Sequence, residues 1–202
     1  MMAIISIMRY PSGHKDRVRE RIVQAASRHF RGRGSESVAI ARLMSDLKLT
    51  HGGFYRHFKG KEDLFNEAFL AAAADTRSRL QAVAEQAPPG RELEAIIRTY
   101  LSAGHCANAG HGCPIAALAA EISRHPRSTR TTLDRAIRES ARELARFVPG
   151  ETSAERERTA MVMFAGMAGT LTLARATADE GLRQTILETA QKLYLQLTRR
   201  GS

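Results

Sequence analysis

The feature that most constrains the fold of this chain is a tight break between two apolar patterns of helical spacing, about a quarter of the way along. Leu43 and Leu47 are four residues apart, and Phe54 and Phe58 repeat that spacing after the break. Each pair therefore shares one face of a helix. Thr50 lies where the second helix needs an N-cap. The pattern predicts two short helices joined by a tight turn, a helix-turn-helix whose second helix enters the major groove of DNA.

The residues around this break resemble the DNA-binding signature of the TetR (tetracycline-repressor) family. Leu49 and Thr50 stand at the family's Val-Ser step, and residues 54–58 match its Leu-Tyr-x-His-Phe sequence. Lys61 and Glu62 match its Lys-Glu pair. The chain departs from the signature at the turn, where the family usually has Ala-Gly and this sequence has Leu-Lys. The match is long and ordered, so it is more specific than a generic helix-turn-helix pattern.

The apolar periodicity along the chain predicts an all-α fold of about nine helices, without a competing strand pattern. We expect a flexible tail at residues 1–14 and a three-helix DNA-binding head at residues 15–61, with the groove helix at about 50–58. Ser37 is the expected cap of the second helix. Residues 62–202 are expected to form a helical domain, which the resemblance implies binds a ligand and dimerises. The nine helices are predicted at about 15–31, 40–47, 50–58, 61–87, 91–108, 115–124, 127–147, 154–176 and 180–198.

The basic charge of the chain is concentrated in the expected head. Residues 1–61 contain thirteen Lys and Arg residues and four acidic residues, a net charge of +9, while the whole chain carries +10. Phosphate binding requires such a local excess of positive charge. A basic face that is merely solvated is the plainer alternative. With 43% apolar residues, the composition is that of a folded protein rather than a disordered one.

The start of the expected groove helix is predicted to lie against the bases. Thr50 and His51 are its first residues, and the N-terminal residues of a recognition helix meet base edges. Gly52 and Gly53 have no side chain, so they would allow the backbone to approach the DNA closely. Glycine costs a helix interior about 1 kcal/mol, so two in succession suggest that this space is needed.

The remaining expected DNA contacts are polar side chains on and after the groove helix. The resemblance implies that Tyr55, His57 and Lys61 contact phosphate, and such contacts set the register on DNA rather than the sequence read. Arg56 could read guanine or bind phosphate only. The full set of expected DNA-binding residues is Arg42, Thr50, His51, Gly52, Gly53, Tyr55, Arg56, His57, Lys59 and Lys61.

A second informative stretch places two cysteines and two histidines within residues 105–113. A metal site is disfavoured, because the adjacent His105 and Cys106 would struggle to reach one ion, and no metal is predicted. The sequence around Cys113 resembles a subgroup of TetR-like repressors with a Gly-Cys-Pro motif, some of which respond to electrophiles or oxidants. A cysteine just before a helix N-terminus is more reactive as the thiolate. Cys113 and Cys106 are therefore candidate sensors, and small buried cysteines that only pack are the alternative.

The resemblance also implies a cavity for an unknown small-molecule inducer and a homodimer formed through about residues 154–198. The last two helices are amphipathic by sequence alone, so packing within one chain is the alternative to a four-helix bundle with a second subunit. The candidate pocket residues are also what an ordinary core uses: Phe69, Ile97, Tyr100, Leu101, Met161, Met163 and Phe164.

These features together predict a DNA-binding transcriptional regulator, a ligand-released repressor that binds a palindromic operator as a dimer. An enzyme using Cys113 with His105 or His111 is a distant alternative, because no nucleotide loop, nucleophile elbow or orienting acid has recognisable spacing. A sequence-tolerant architectural DNA protein is another. No cofactor, no membrane-spanning window and no signal peptide are predicted, and two cysteines do not form a disulfide framework. We expect a cytoplasmic protein.

Overall fold

The structure is a computed structural model that describes residues 13–199, and over that range it contains ten α-helices, one short 3-10 turn and no strand. The predicted all-α fold is confirmed. The predicted tail lies largely outside the described residues. The ten helices are α1 (His14–Arg33), α2 (Ile40–Asp46), α3 (His51–Phe54), α4 (Lys61–Glu85), α5 (Glu92–Tyr100), α6 (Ala103–Ala107), α7 (Pro114–Ile122), α8 (Arg127–Leu144), α9 (Ser153–Ala176) and α10 (Glu180–Arg199), and the 3-10 turn is Ala109–His111.

The ten helices agree with the prediction of about nine, and the difference arises because the segment predicted as a single helix at 91–108 is divided. α5 ends at Tyr100 and α6 begins at Ala103. Ser102 lies between them and caps α6, since its hydroxyl accepts a hydrogen bond from the backbone N–H of His105 at 3.1 Å. A serine in this role satisfies one of the N–H groups left unpaired at a helix start.

The head is held together by apolar side chains from α1, α2 and the segment around α3. Phe54 and Phe58 are buried, with stacked rings whose centroids are 5.4 Å apart. Arg19 of α1 covers the outer face of Phe58, with its guanidinium carbon 4.4 Å from the ring centroid. Leu43 is also buried. The predicted core positions of Leu43, Phe54 and Phe58 are confirmed.

Two local predictions about the head were wrong. Ser37 does not cap α2, which begins after Ala39 without a side-chain cap. The Ser37 hydroxyl instead donates to the carbonyl oxygen of Arg33 at 2.7 Å and so closes the end of α1. The groove helix is also shorter than predicted, because α3 covers only residues 51–54 and continues as a turn.

The turn between α2 and α3 places Lys48 in the left-handed region. Lys48 has a φ of 58°, and it is the one non-glycine residue with positive φ in the described part of the chain. The turn closes because the backbone N–H of Leu49 bonds to the carbonyl oxygen of Met44 at 2.9 Å. A side chain in this conformation is strained by contact between Cβ and the carbonyl oxygen. The residue at the position of the family's usual glycine therefore weakens the head.

The strain at Lys48 gives the first testable prediction. Lys48→Gly should raise the free energy of unfolding by about 1 kcal/mol, because glycine adopts positive φ without that contact. Urea denaturation of the full chain measures the change. Lys59→Gly is the matched control, since Lys59 has no positive φ, and glycine there should lower the stability. Equal effects of the two substitutions would contradict the strain at Lys48.

The head packs directly against the body. α4 begins in the head and runs about 37 Å through the body, and its Phe65 packs edge-on against Phe30 of α1 with centroids 5.1 Å apart. Glu62 at the start of α4 accepts hydrogen bonds from the Thr129 hydroxyl and from His125, the latter at 3.1 Å. One continuous buried core includes residues of both parts. Because this core is shared, it does not mark a boundary between two domains. The domain limits at residues 61 and 62 remain a prediction.

The prediction that no stretch of the sequence could span a membrane was wrong for one helix in the described part of the chain. α9 is long and apolar enough to cross a membrane by length and composition alone. This is weak evidence of insertion, because core helices of water-soluble proteins meet the same test. The buried face of α9 packs against its own chain through Met163, Phe164, Met167 and Leu171.

Candidate nucleic-acid interface and body cavity

The start of α3 presents an open polar surface. Thr50 is its N-cap, as predicted, because its hydroxyl accepts a hydrogen bond from the Gly53 backbone N–H at 3.2 Å. Most of the expected DNA contacts are exposed on this side of the head: Arg42, Thr50, His51, Gly52, Tyr55, Arg56 and Lys59. Gly53, His57 and Lys61 are half-buried.

The two glycines of α3 differ in their surroundings. A Cβ atom on Gly52 would meet no protein atom within 4 Å. A Cβ atom on Gly53 would lie 3.2 Å from the Thr50 hydroxyl oxygen. Gly53 thus protects the N-cap, whereas the protein itself leaves space above Gly52. No contact within the chain requires glycine at residue 52, and the predicted close approach of DNA at Gly52 remains a prediction.

A basic cleft beside α3 includes residues that the sequence did not single out. The N-terminus of α1 and α3 form its two sides, and the cleft is lined by Gly13, His14, Lys15, Val18, Thr50 and Arg56, among others. His57 lies in the same cleft, and burial, then Lys15 and Arg19, lower its pKa. A neutral His57 can still donate an N–H to phosphate. The local charge excess was the only sequence signal for His14 and Lys15.

The two lysines at the end of the interface stand at the start of α4. The Lys61 side chain reaches back to the carbonyl oxygen of Glu36, 3.5 Å away. The backbone N–H of Lys59 bonds to the Asp63 carboxylate at 3.0 Å. Arg42 on α2 is 3.5 Å from Asp46 in an exposed pair. An exposed pair such as Arg42–Asp46 contributes little to stability, so the Arg42 guanidinium can exchange its carboxylate partner for a phosphate.

The body contains a cavity of about 40 Å³ between α4, α5, α7, α8 and α9. Of the predicted pocket residues, the structure places Tyr100 and Phe164 in its wall. Five others do not line it. Phe69, Ile97 and Leu101 are buried in the continuous core, Met161 is exposed on α9, and Met163 lines a separate groove.

The His105 side chain connects the two ends of the cysteine-containing segment through two hydrogen bonds. Its Nδ1 lies 2.6 Å from the carbonyl oxygen of Tyr100, and its Nε2 lies 2.9 Å from the backbone nitrogen of Cys113. Nδ1 is thus the protonated nitrogen and Nε2 accepts. Burial, and to a smaller degree the nearby Arg175, lower the pKa of His105 to about 4, so the ring is neutral at pH 7. Both ring nitrogens are occupied, which argues against a catalytic or metal-binding His105.

Both cysteines are free and buried, with exposed fractions of 4% for Cys106 and 1% for Cys113. Cys113 is the N-cap residue of α7, as expected, and it lines the body cavity. Among residues 13–199 no group of three or more His, Cys, Asp or Glu side chains could hold a metal ion. The sensor roles of Cys113 and Cys106 remain predictions.

Three arginines from three helices hold the segment around residues 105–112. Arg31 of α1 donates to the carbonyl oxygen of Gly112 at 2.8 Å, and Arg79 of α4 donates to that of His111 at 2.6 Å. Arg175 of α9 donates to the carbonyl oxygen of His105 at 2.9 Å. Burial, then the charge of Arg79, lower the pKa of Arg31 to about 10. The head and the wall of the cavity therefore share this segment.

The outer face of α9 and α10 is unusually apolar. In the described part of the chain the exposed large apolar side chains lie there, apart from Tyr55: Met161, Val162, Leu173, Leu182, Leu193 and Leu197. On α9 the exposed stripe also includes Ala165 and Gly169, and a Cβ atom on Gly169 would meet no protein atom within 4 Å. A contiguous apolar face of this kind is typical of an interaction surface.

The sequence and the fold of this chain are both similar to those of known proteins. Residues 22–68 match the sequence model described as "Bacterial regulatory proteins, tetR family". The HTH-type transcriptional repressor DhaR of Mycobacterium sp. (strain GP1) is 28% identical over 112 residues, which are 52% of this chain and 52% of the repressor. The match thus spans about half the length of that curated relative.

Solved structures of TetR-family regulators share the overall fold. The regulator from Cytophaga hutchinsonii has a TM-score of 0.75 at 21% identity, covering 91% of this chain and 96% of that chain. The regulator from Chloroflexus aurantiacus J-10-FL has a TM-score of 0.71 at 25% identity, covering 90% and 96%. Residues 22–68 are thus similar to the sequence model of a family of bacterial regulatory proteins, and the chain shares the fold of solved TetR-family regulators.

Proposed function

We propose that this chain is a cytoplasmic transcriptional repressor that binds a palindromic operator as a homodimer and is released by a small molecule bound in the body. The observation that carries the proposal is the exposed, polar start of α3 beside a basic cleft that contains Lys15 at the N-terminus of α1 and Arg56. The family match covers this segment.

On DNA, the base-reading and phosphate-binding residues have separate places. The N-cap Thr50 and the exposed His51 start the groove helix, and Gly52 leaves room for the DNA above it. Tyr55 follows the C-terminal end of this helix and Lys61 begins α4, where they would fix the register on the phosphates. A short helix with so few base contacts has low affinity alone, and a two-fold dimer on a palindrome doubles its contacts.

Release by a ligand requires that the ligand prefers one conformation of the dimer. The two heads bind successive major grooves, about 34 Å apart. α4 lines the body cavity through Ala73, Thr76 and Leu80, and the same helix begins at the DNA surface with Lys61. A ligand that parts the cavity wall would tilt α4 and change the spacing of the heads.

Competition binding tests the proposal. Operator DNA selected from a random pool should bind the full chain about 10³-fold or more tighter than random DNA. Lys61→Ala should weaken binding to both by a similar factor and reduce the slope of log K against log salt by about 1.8, the loss of one phosphate contact in each of the two subunits.

The matched control is Arg130→Ala, which removes an exposed cation from α8 in the body. It should leave the affinity and the salt slope unchanged. Equal affinity of the unmodified chain for operator and random DNA would instead indicate an architectural DNA protein. An effect of Lys61→Ala on a single operator variant would contradict the phosphate contact.

A further inference from the structure

The body cavity has an apolar wall and very little room. Its volume of about 40 Å³ would hold about three or four water molecules, at about 10–15 Å³ for each. Most of the wall is apolar, and it includes Leu80, Ile96, Ile115, Leu144, Phe147 and Phe164. A molecule as large as a single ring therefore enters only if the helices around the cavity move apart.

One polar group in this wall is buried without a strong hydrogen-bonding partner. The side chain of Tyr100 is 0% exposed, and the neighbour of its hydroxyl is the Cys113 thiol, a weak hydrogen-bonding group, rather than an oxygen or nitrogen atom. Burial, and then the neighbouring Cys113, raise the pKa of Tyr100 well above its ordinary value. The hydroxyl therefore keeps its proton and remains a donor. Buried polar groups are normally paired, because an unpaired one costs free energy in the folded state.

An unpaired donor lies in the same wall on α4. Nη2 of Arg77 is 2.8 Å from the carboxylate of Glu139, whereas its Nη1 is buried and has no partner. Arginine has no acceptor atom. The Arg77 nitrogen can only donate and the Tyr100 hydroxyl can donate as well as accept, so one oxygen that accepts hydrogen bonds would satisfy both atoms. An ammonium group would offer only donors and would add a positive charge beside Arg77.

We propose that the cavity binds a small, mainly apolar molecule of about one ring, whose carbonyl or carboxylate oxygen accepts hydrogen bonds from the Tyr100 hydroxyl and from Arg77. The inference rests on the proposed function, in which this molecule releases the operator. Because the cavity must widen to admit it, the ligand displaces α4, the helix that begins at the DNA surface with Lys61.

Three probes of equal size separate the possibilities: acetophenone, benzoate and benzylamine. Titration calorimetry on the full chain should give at least about tenfold tighter binding for acetophenone or benzoate than for benzylamine, the cost of one lost hydrogen bond. Whichever of acetophenone and benzoate binds more tightly shows whether the natural ligand is neutral or anionic. The bound oxygen compound should also lower the affinity for operator DNA.

Tyr100→Phe removes the hydroxyl and keeps the ring. It should weaken binding of the preferred probe about tenfold with little effect on the thermal midpoint of the free protein, since the hydroxyl has only the weakly interacting Cys113 thiol to lose. A merely structural tyrosine would show the opposite, a lower midpoint and unchanged affinity. Tyr194→Phe, the same change outside this cavity, is the matched control and should leave probe binding unchanged.

Two results would overturn the assignment. The first is equal binding of benzylamine, and the second is the absence of binding by all three probes. Operator binding is measured on the same preparation. A chain that binds the operator and none of the probes contradicts the ligand class alone, whereas a chain that binds a probe but no operator contradicts the proposed repressor.

Discussion

Replacement of Leu173 and Leu193 by glutamate should convert the protein into a monomer and reduce its affinity for a palindromic operator by about 10²- to 10⁴-fold. The two leucines are exposed by 64% and 55% on the outer face of α9 and α10. In a two-fold dimer each substitution occurs twice, so four carboxylates would be buried against apolar surface, at a cost of several kcal/mol each. The affinity falls because the second head no longer binds at the high effective concentration that the dimer provides.

The same substitutions should leave the fold of each chain intact. Exposed side chains contribute little to unfolding free energy, within about 0.5 kcal/mol, so the helical circular dichroism of the variant should be retained. Sedimentation gives the molecular mass, and a titration with operator DNA gives the affinity. Ser78→Glu with Ala82→Glu, at exposed positions near the far end of α4, is the control for added charge. A double Leu→Glu variant that remains dimeric would contradict this interface.

Periodicity located most of the helices because their apolar faces are local features. α4 and α9 begin within one residue of the predicted limits. The groove helix was predicted too long for the same reason: Phe54 and Phe58 keep a four-residue spacing, yet the chain turns after Phe54. Spacing alone does not distinguish a helix from a turn that brings both rings to one core.

The cavity could not be located from sequence, because its wall depends on how five helices pack. Ile97, Tyr100 and Leu101 follow one another on the same apolar segment, and only Tyr100 borders the cavity. In the sequence, Arg77 looks like one more exposed cation. In the structure, one of its guanidinium nitrogens forms an ion pair with Glu139, which is distant along the chain. A hydroxyl or guanidinium nitrogen without a strong partner is a property of the packed structure, and composition does not reveal it.

The arrangement around residues 105–112 suggests how the cavity and the head communicate. Tyr100 in the cavity wall holds His105 through its carbonyl oxygen, and His105 holds the backbone of Cys113. Arg31 of the head donates to the neighbouring carbonyl of Gly112. A displacement at Tyr100 is therefore passed to α1 through hydrogen bonds as well as through α4. The pKa of about 4 leaves His105 neutral at physiological pH, so this path does not change between pH 6 and pH 8.

Gly52→Leu should abolish operator recognition, with affinity falling about 10³-fold to the level of random DNA, while the protein remains fully folded. A Cβ atom on Gly52 would have no atom of the protein within 4 Å, and residue 52 is exposed, so the new side chain can point into solvent in the free chain. Helix propensity favours leucine over glycine by up to about 1 kcal/mol, so the unfolding free energy should not fall. On DNA, the side chain would hold the helix out of the groove.

Gly52→Ala distinguishes the effect on protein stability from the effect on operator binding more finely, because it adds a single carbon atom. It should stabilise the head by about 0.5–1 kcal/mol and still weaken operator binding by about tenfold, the cost of losing one base contact. Gly32→Ala is the matched control: Gly32 is also an exposed helical glycine with no atom within 4 Å of its missing Cβ, but it lies at the far end of α1. The control should show the stabilisation without the loss of affinity. Undiminished affinity of Gly52→Leu would place the DNA elsewhere on the head, because no atom of the chain itself requires glycine at this position.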